Sequence, residues 1–385
     1  MWLEMLVVPL LTLELTDSPF LVSFVFFLRF VPMLFGFGLG VLSERINRKH
    51  LLVSGLIIQA ATSLTWALLA LTGSIQFWHL AVGSFLIGIV MTSDFPVRRT
   101  MMGEIVARSQ IGRAMSLEMT SSSFFRILGP FTGGVLLGTV GAYGGFLLAA
   151  LLYLAGLIIA VSTNYLQPLS TERYTSPKTQ MTQGISYIRR NEIIIGTLVV
   201  TLVVNAFGFS YMSQQPVVAR QVLEVSDVLI GVLQSVEGVG MFLGAALVTI
   251  FARPHQYIRI YMGSSLLYLL TITLFSQSNT YWASLLILFL SGIGMSGFAA
   301  MQSAIMVYTS SQEMRGRVMG SITMFIGFGP VGALGIGMLA GFYTIATAVM
   351  ITACIGIACT LIVFILYPSM RTSKEPKQDI TGSAV

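Results

Sequence analysis

The sequence is poor in charged residues. Only 9% of its 385 residues are Asp, Glu, Lys or Arg, whereas 55% are hydrophobic, and the mean hydropathy is +0.85. A soluble globular domain carries about 25% charged residues, so the composition excludes that class and indicates a protein embedded in a lipid bilayer. The net charge of +6 then reflects where basic residues lie relative to the membrane, rather than binding to nucleic acid.

Cysteine and lysine are also scarce. Cys354 and Cys359 lie five positions apart in one apolar segment, which suits neither a metal site nor a disulfide framework, so both are interpreted as packing residues. Only four lysines occur, and there is no G-x-x-x-x-G-K-[S/T] phosphate-binding loop. The sequence therefore predicts neither an enzyme nor an ATP-driven pump, and it predicts no cofactor and no metal.

Long apolar runs fill most of the chain. A helix needs about 20 apolar residues to cross a bilayer, and twelve runs approach that length: 2–16, 20–42, 51–72, 76–96, 112–139, 143–164, 192–213, 229–251, 258–276, 281–307, 317–341 and 343–367. The sequence therefore predicts an all-α membrane protein with twelve transmembrane helices. The first run is shorter than a full span, which suggests that the stated start lies inside the true first helix.

The basic residues give the predicted orientation. Of the 21 lysines and arginines, 18 fall in the even-numbered loops or the C-terminal tail. Because basic loops stay on the cytoplasmic side, these loops and both termini are predicted to be cytoplasmic. Trp78 and Trp282 begin the fourth and tenth spans at the other face, where interfacial tryptophans are expected.

The two halves of the sequence resemble each other at an offset of 204 residues. Gly88 corresponds to Gly292, and the following matches run in the same order: Gly36–Gly240, Gly40–Gly244, Trp78–Trp282, Phe85–Phe289, Met91–Met295, Gly112–Gly316 and Arg113–Arg317. This series predicts a duplicated unit. We expect two pseudosymmetric six-helix bundles, at 1–164 and 192–367, a cytoplasmic linker at 165–191 with a short amphipathic helix, and a disordered cytoplasmic tail at 368–385.

A short polar loop separates the second and third spans. It reads Gly40-Val-Leu-Ser-Glu44-Arg45-Ile-Asn47-Arg48-Lys49 and resembles G-x-x-x-[D/E]-R-x-G-R-[R/K], the hallmark loop of the major facilitator superfamily. Asn47 replaces the inner glycine, and Asn is the other residue that best tolerates a left-handed backbone. The resemblance implies two parallel six-helix halves with substrate held between them near the midplane.

The fifth span carries a second motif of this superfamily. Gly129, Pro130, Gly133 and Gly134 resemble the G-P-x-x-G-G core associated with antiporters, although Phe125 stands where that motif has an earlier glycine. Plain helix packing is the alternative interpretation of these glycines. Over most of the chain, including Asp94–Arg99, Arg126–Gly134 and Glu313–Gly320, the sequence resembles the subfamily that contains the enterobactin exporter and macrolide-efflux proteins.

Charged residues inside the predicted spans mark the candidate pathway, because each costs about 2.5 to 3.5 kcal/mol in lipid unless it has a partner or a wet cavity. The candidates for the substrate or proton pathway are Glu14, Arg29, Glu118, Ser122, Arg126, Gln234 and Glu237. The spacing of four places Glu118, Ser122 and Arg126 on one helix face, where they could bind a polar group or form an internal salt bridge.

Two of these candidates have competing interpretations. Glu237 is the candidate proton carrier, because burial favours the neutral form of a carboxyl group and exposure to water favours its release of a proton. A hydrogen-bonded structural acid is the alternative. Arg29 could attract an anionic substrate, but pairing with Glu14 is the favoured interpretation.

The resemblance also implies a gate on the cytoplasmic side. In the superfamily an acid at the end of the fourth span, here Asp94, pairs with the second arginine of the hallmark loop, here Arg48. The predicted gate contains Gly40, Glu44, Arg45, Arg48, Lys49 and Asp94. A solvated charge at Asp94 is the alternative interpretation.

These features predict a monomeric secondary transporter in a bacterial inner membrane that uses a proton gradient to export a small amphipathic molecule, such as a drug, antibiotic or siderophore, by alternating access. A lysolipid flippase or a metabolite uptake carrier is the nearest alternative. A membrane receptor or scaffold that transports nothing is the alternative from another class, but it has little use for intramembrane charges on cavity helices.

Overall fold

The computed structural model describes residues 1–35, 47–106, 110–165, 185–311 and 314–371. Glu44, Arg45 and Gly40 of the predicted gate, and most of the predicted linker and tail, lie outside these ranges. The helices, numbered by span, are α1 (Glu4–Thr16), α2 (Pro19–Phe30), α3 (Arg48–Leu71), α4 (Phe77–Ile105), α5 (Ile111–Thr139), α6 (Ala142–Ser162), α7 (Glu192–Val203), α8 (Asp227–Phe251), α9 (Tyr257–Ser276), α10 (Tyr281–Thr309), α11a (Arg315–Ile326), α11b (Gly329–Leu339) and α12 (Ile345–Leu366).

Within the described residues the predicted spans are confirmed as helices, and eight helical segments there are long and apolar enough to cross a membrane by themselves. Three spans are less regular than predicted. The α2 helix continues as a 3-10 helix at Val31–Phe35, and α7 continues as a π-helix at Val204–Gly208 and a 3-10 helix at Phe209–Ser213, before a short helix at Gln215–Gln221. The eleventh span is divided between Ile326 and Gly329.

Polar side chains fix several helix starts. The Ser18 hydroxyl accepts a hydrogen bond from the Leu21 amide, and the Asn191 amide oxygen accepts from Ile193 and Ile194. Asn47 caps α3 in the same way, because its Oδ1 lies 2.9 Å from the Lys49 amide nitrogen. Its φ of −59° and ψ of 121° lie outside the left-handed region, so the tolerance of Asn for that conformation is not used here. Asparagine at this position therefore acts as an N-cap.

The two halves repeat the same packing. In the N-terminal half α3 packs on α6 and α2 on α4; in the C-terminal half α9 packs on α12 and α8 on α10. The main contacts between the halves are α5 with α8 and α2 with α11b. The repeat relates α5 to α11 and α2 to α8, so these two contacts are equivalent to each other. This arrangement confirms the predicted fold class of twelve helices in two pseudosymmetric bundles.

Close glycine contacts hold equivalent helices together in both halves. A Cβ added to Gly88 on α4 would lie 2.2 Å from the Arg29 carbonyl oxygen, and one added to its repeat partner Gly292 on α10 would lie 2.1 Å from the Glu237 carbonyl oxygen. Only glycine permits such an approach. The duplicated glycines thus place α4 and α10 directly against the backbone of Arg29 and Glu237, both of which are buried charged residues.

The α1 helix is buried on nearly all sides. Leu3, Val7 and Leu11 pack into the core of the N-terminal half. Leu6, Leu10 and Leu13, on another face of the same helix, join a core built mostly by the C-terminal half. The helix thereby links the two cores and brings its first residues to the centre of the molecule.

Candidate functional site

A cavity lies between the two halves. The space free of protein atoms at this site, open solvent included, is about 350 Å³, and its walls come from α1, α5, α8 and the chain that follows α7. The lining residues are Trp2, Met5, Arg126, Pro130, Met212, Gln215, Gln234 and Glu237. Three of the residues predicted for the pathway, Arg126, Gln234 and Glu237, are therefore brought together at one site.

Glu237 lies on α8 and borders this cavity from the C-terminal half. Its side chain is only 3% exposed, and Oε1 accepts hydrogen bonds from Tyr211 Oη at 2.6 Å and Ser291 Oγ at 3.1 Å. Both donors are neutral hydroxyl groups, on the chain after α7 and on α10. The carboxyl group is thus positioned by three elements of one half while it borders space shared with the other half.

Arg126 contributes the positive charge of the cavity. Its guanidinium carbon lies 4.7 Å from the centre of the Trp2 ring, a cation–π arrangement that joins α5 to the start of α1. On the same helix, Ile127 accepts a hydrogen bond through its carbonyl oxygen from Ser235 Oγ of α8, at 2.7 Å. The packing of α5 on α8 therefore places Arg126 opposite Glu237 across the cavity.

The glycines of the antiporter-like motif pack three helices together. A Cβ on Gly129 would lie 2.5 Å from Trp2 Cβ, and one on Gly133 would lie 3.2 Å from the Leu3 carbonyl oxygen, so both glycines face α1. A Cβ on Gly134 would lie 2.5 Å from the Asp227 carbonyl oxygen of α8. Pro130, which lies inside α5, borders the cavity itself. The motif thus shapes the wall of the cavity from within the α1–α5–α8 interface.

Two other predicted residues of α5 lie outside the cavity wall described above. Ser122 is exposed and Glu118 is partly buried, one and two helical turns from Arg126. The predicted common face of Glu118, Ser122 and Arg126 follows from the continuous helix Ile111–Thr139. Of these three, Arg126 is the one that lines the cavity.

A second buried polar cluster lies within the N-terminal half. Arg29 Nη2 on α2 donates to Glu4 Oε2 on α1 at 2.8 Å, with 3% and 0% of the two side chains exposed. Ser63 of α3 donates to Glu4 Oε1 at 2.8 Å, and Tyr153 of α6 donates to Oε2 at 3.2 Å. Glu4 is therefore bound by groups from three other helices.

This cluster corrects the predicted pairing of Arg29 with Glu14. Glu14 is exposed near the end of α1, whereas Arg29 is buried and pairs with Glu4. The register of the α1–α2 hairpin gives the reason. Glu4 lies 12 residues before the end of α1 and Arg29 lies 10 residues after the start of α2, so at 1.5 Å per residue both lie roughly 15 to 18 Å from the turn.

The charged residues at the basic face, the end of the molecule that carries Arg48, Lys49 and Arg98, form local pairs. Arg48 Nη1 lies 2.5 Å from Glu104 Oε1, and Asp94 Oδ2 lies 3.1 Å from Arg98 Nη2. Arg48 and Asp94 thus each have an acidic or basic partner within the described residues, and the predicted contact between the two stays a prediction. Lys49 Nζ donates to the carbonyl oxygens of Val161 and Thr163.

Tyr165 completes the contact between Arg48 and Glu104. Its hydroxyl donates a short hydrogen bond to Glu104 Oε2 and lies 3.4 Å from Arg48 Nη1. Burial, together with the hydrogen bond to Glu104, raises the pKa of Tyr165, so it remains protonated and able to donate at neutral pH. These contacts join the start of α3, the end of α4 and the segment after α6.

Comparison with known proteins identifies the fold and family. The sequence matches the family model described as Major Facilitator Superfamily over residues 1–329 and again over residues 215–383. The chain belongs to the Major Facilitator Superfamily. It is accordingly a transporter and not an enzyme, which confirms both predictions.

Among the relatives of this superfamily member is a protein named as a Staphyloferrin A transporter, from Staphylococcus aureus (strain NCTC 8325 / PS 47). It is 21% identical over 91% of this chain and 88% of its own length.

Two solved transporters share the fold. A bacterial homolog of the human lysosomal transporter Spinster, inward-facing and unoccupied, matches with a TM-score of 0.71 at 13% identity over 99% of this chain and 95% of its own. A POT family transporter in complex with a thioalcohol conjugated peptide matches with a TM-score of 0.74 at 11% identity over 96% and 94%.

Sequence reasoning missed several residues of the site. Tyr211, Ser291 and Gln215 are uncharged, so a search for charges in membrane spans does not select them. Tyr211 lies in the irregular part of α7 and Gln215 directly follows it, where an ideal helical repeat misplaces side chains. Glu4 was visible as a charge within a span, and the hairpin register would have identified it as the partner of Arg29.

Proposed function

We propose that this protein is a proton-coupled exporter of a small amphipathic molecule. The observation that carries the proposal is the position of Glu237: a buried carboxyl group, hydrogen-bonded by two neutral hydroxyl groups, that borders the cavity between the halves. No counter-ion within hydrogen-bonding distance of Glu237 is found among the residues that the structure describes. Such a carboxyl group can change its protonation with little rearrangement of its own half.

Exchange of a proton for cargo follows from competition at this carboxylate. When ionised, Glu237 accepts hydrogen bonds from N–H or O–H groups of the cargo, because charged acceptors form the stronger hydrogen bonds. Protonation removes that charge and weakens the hold on the cargo. If protons enter from the opposite face and leave at the basic face, cargo is driven from the basic face to the opposite face.

The cavity suits a cargo with both apolar and polar parts. Trp2, Met5 and Met212 provide apolar surface, while Arg126, Gln234 and Glu237 provide polar contacts. A siderophore is a favoured cargo class because the relative from Staphylococcus aureus is named as a siderophore transporter. The proposal places the basic face in the cytoplasm of a bacterial cell and the protein in the inner membrane as a monomer.

Transport into inside-out vesicles tests this function. Vesicles that contain the protein should accumulate a siderophore or a hydrophobic dye when their lumen is acidified, and Glu237→Gln should abolish that accumulation. The amide keeps the size and hydrogen bonding of the side chain but cannot carry the proton. We therefore expect Glu237→Gln to remain in the membrane and to retain exchange of labelled for unlabelled cargo without a gradient.

Glu224→Gln is the matched control, because Glu224 is an exposed carboxylate in the segment between α7 and α8. It should transport as the native protein does. Proton-driven accumulation that survives Glu237→Gln would remove the carrier role of Glu237. Movement of lysolipid alone would favour a flippase, and accumulation only in right-side-out vesicles would favour uptake.

A further inference from the structure

Two neighbouring glutamines follow the irregular part of α7 and have different surroundings. Gln214 Nε2 reaches the other half, where it donates to the Pro19 carbonyl oxygen at 2.8 Å and to Ser23 Oγ at 2.5 Å. Gln215 borders the cavity, and only 1% of its surface is exposed. The 3-10 turn at Phe209–Ser213 directs the first glutamine across the interface and the second toward the cavity.

The amide of Gln215 has no hydrogen-bond partner. Neither Oε1 nor Nε2 has one among the residues that the structure describes. A buried polar group without a partner costs about 1 to 3 kcal/mol, and native proteins satisfy the great majority of such groups. An amide that is left unpaired beside a cavity is therefore suited to pair with a molecule that enters the cavity.

The neighbours of Gln215 define the chemistry of that molecule. Arg126 borders the same cavity and is suited to a carboxylate, which guanidinium groups bind with two parallel hydrogen bonds. Gln215 offers one acceptor and a donor group with two protons, so its natural complement is another amide or a hydroxyl group. Trp2 and Met212 supply apolar surface next to these polar groups.

We propose that Gln215 is a specificity-determining residue that recognises an amide or hydroxyl group placed next to a carboxylate in the transported molecule, while Arg126 binds the carboxylate. This assignment rests on the proposed transport function of the cavity, and it names the class of cargo. A molecule that lacks the amide or hydroxyl group leaves Gln215 unpaired and binds more weakly. The protein therefore discriminates against such molecules, because their binding leaves the buried amide of Gln215 without a partner.

Equilibrium binding to the purified full-length protein in detergent tests the assignment. Benzoylglycine carries an aromatic ring, an amide and a neighbouring carboxylate. Benzyloxyacetate keeps the ring and carboxylate but lacks the amide, and benzoylglycine methyl ester lacks the carboxylate. We expect isothermal titration to show benzoylglycine binding about tenfold more tightly than benzyloxyacetate, since one net hydrogen bond is worth about that factor. The methyl ester should bind more weakly still, because it loses the charge-assisted hydrogen bonds to Arg126.

Gln215→Met removes the amide and keeps the length of the side chain. It should weaken benzoylglycine binding about tenfold, to the level of benzyloxyacetate, and leave benzyloxyacetate binding unchanged. The thermal midpoint of the variant should equal or exceed that of the native protein, because an unpaired buried amide has been removed. A residue with a purely structural role would instead lower the midpoint and weaken all three probes equally.

Two further variants keep the test decisive. Gln215→Asn retains the amide but withdraws it by one methylene group, so it should preserve an intermediate preference for benzoylglycine. Gln59→Met changes a buried glutamine of α3, remote from the residues that line the cavity, and should preserve the native preference. Absence of benzoylglycine binding at millimolar concentration, or a preference that survives Gln215→Met, would overturn the proposal.

The result is separable from the proton-coupling proposal. Binding is measured without a membrane gradient, so a Glu237→Gln variant that still transports would refute proton coupling and leave the Gln215 result intact. Conversely, coupled transport by a protein that shows no amide preference would retain the proposed function and refute the role of Gln215.

Discussion

The two halves each bury one glutamate, but they surround it differently. Glu4 in the N-terminal half pairs with Arg29 and accepts further hydrogen bonds from Ser63 and Tyr153. Glu237 in the C-terminal half accepts hydrogen bonds from the hydroxyl groups of Tyr211 and Ser291 and borders the cavity. The first carboxylate has its charge balanced within its own half, whereas the charge of the second depends on what occupies the space between the halves.

This difference supports the roles that we propose, a structural ion pair in the N-terminal half and a titratable group in the C-terminal half. A carboxylate and a guanidinium in contact stabilise each other's charged forms, so Glu4 and Arg29 act as a fixed unit that joins α1 to α2. Glu237 is bonded by neutral groups and can gain or lose a proton without breaking an ion pair. Glutamate thus serves as a structural charge in the N-terminal half and as the proposed proton carrier in the C-terminal half, because its partners differ.

The largest expected effect comes from breaking the ion pair of the N-terminal half. Arg29→Met removes the buried guanidinium partner of Glu4 and leaves the N-terminal amino group, 3.8 Å from Oε2, as its remaining cation. Removing one partner of a buried ion pair costs about 3 to 5 kcal/mol. We expect a large fall in the thermal unfolding midpoint of the detergent-solubilised protein and a reduced yield of folded protein.

The double variant Glu4→Gln with Arg29→Met is the control, because it removes both charges together. It should recover most of the lost stability, since replacing a whole buried pair is often nearly neutral. Equal destabilisation by the single and double variants would show that Arg29 stabilises the protein through its packing and not through its charge.

The sequence predicted the helices well because each span must satisfy the same requirement in lipid. Every backbone polar group needs an internal partner there, so a long apolar run of sufficient length is almost always helical. The irregular parts of α2, α7 and α11 were not predicted. Pro32 lies in the 3-10 continuation of α2 and Pro330 stands at the start of α11b. Because Pro9 and Pro130 lie inside continuous helices and the π-helix at Val204–Gly208 contains no proline, proline alone does not identify where a span is distorted.

The site was predicted as far as charge could identify it. Arg126 and Glu237 were selected because charges in lipid are costly, and they border one cavity. Gln215 was not selected, because its importance lies in having no partner, a property of the packed structure. The predicted pairing of Arg29 with Glu14 was wrong because these two residues lie at different depths on antiparallel helices, whereas Glu4 and Arg29 lie at a similar depth.

Alanine substitution of the repeat glycines Gly88 and Gly292 should have effects of intermediate size. Alanine at either position places a Cβ within about 2.2 Å of a carbonyl oxygen, that of Arg29 or Glu237, and the helices must separate at a cost of about 1 to 3 kcal/mol. Both variants should unfold at lower temperature. Gly292→Ala should also reduce proton-coupled flux, because it displaces the backbone of Glu237, whereas Gly88→Ala should change stability alone.

Gly335→Ala is the matched control for both variants. Nothing lies within 4 Å of a Cβ added to Gly335 on α11b, so the change should be neutral or stabilise the helix by up to about 1 kcal/mol. Equal loss of coupled flux in Gly88→Ala and Gly292→Ala would contradict the division of roles between the halves.

The smallest expected effects come from the serines that bond the two glutamates. Ser63→Ala and Ser291→Ala each remove one hydroxyl donor, at 2.8 Å from Glu4 and 3.1 Å from Glu237, and each should cost about 0.5 to 1.5 kcal/mol of stability. Their effects on transport should differ.

Glu4 retains Arg29 and Tyr153, so Ser63→Ala should leave proton-coupled flux intact. Glu237 retains only Tyr211 of its two hydroxyl donors, so Ser291→Ala should reduce coupled flux relative to exchange of labelled cargo. Ser265→Ala, which removes a hydroxyl bonded to the Tyr261 carbonyl of its own helix, should alter neither. If Ser63→Ala reduced coupled flux as much as Ser291→Ala, the buried ion pair would have to take part in proton movement, and the N-terminal cluster could no longer be regarded as a fixed structural unit.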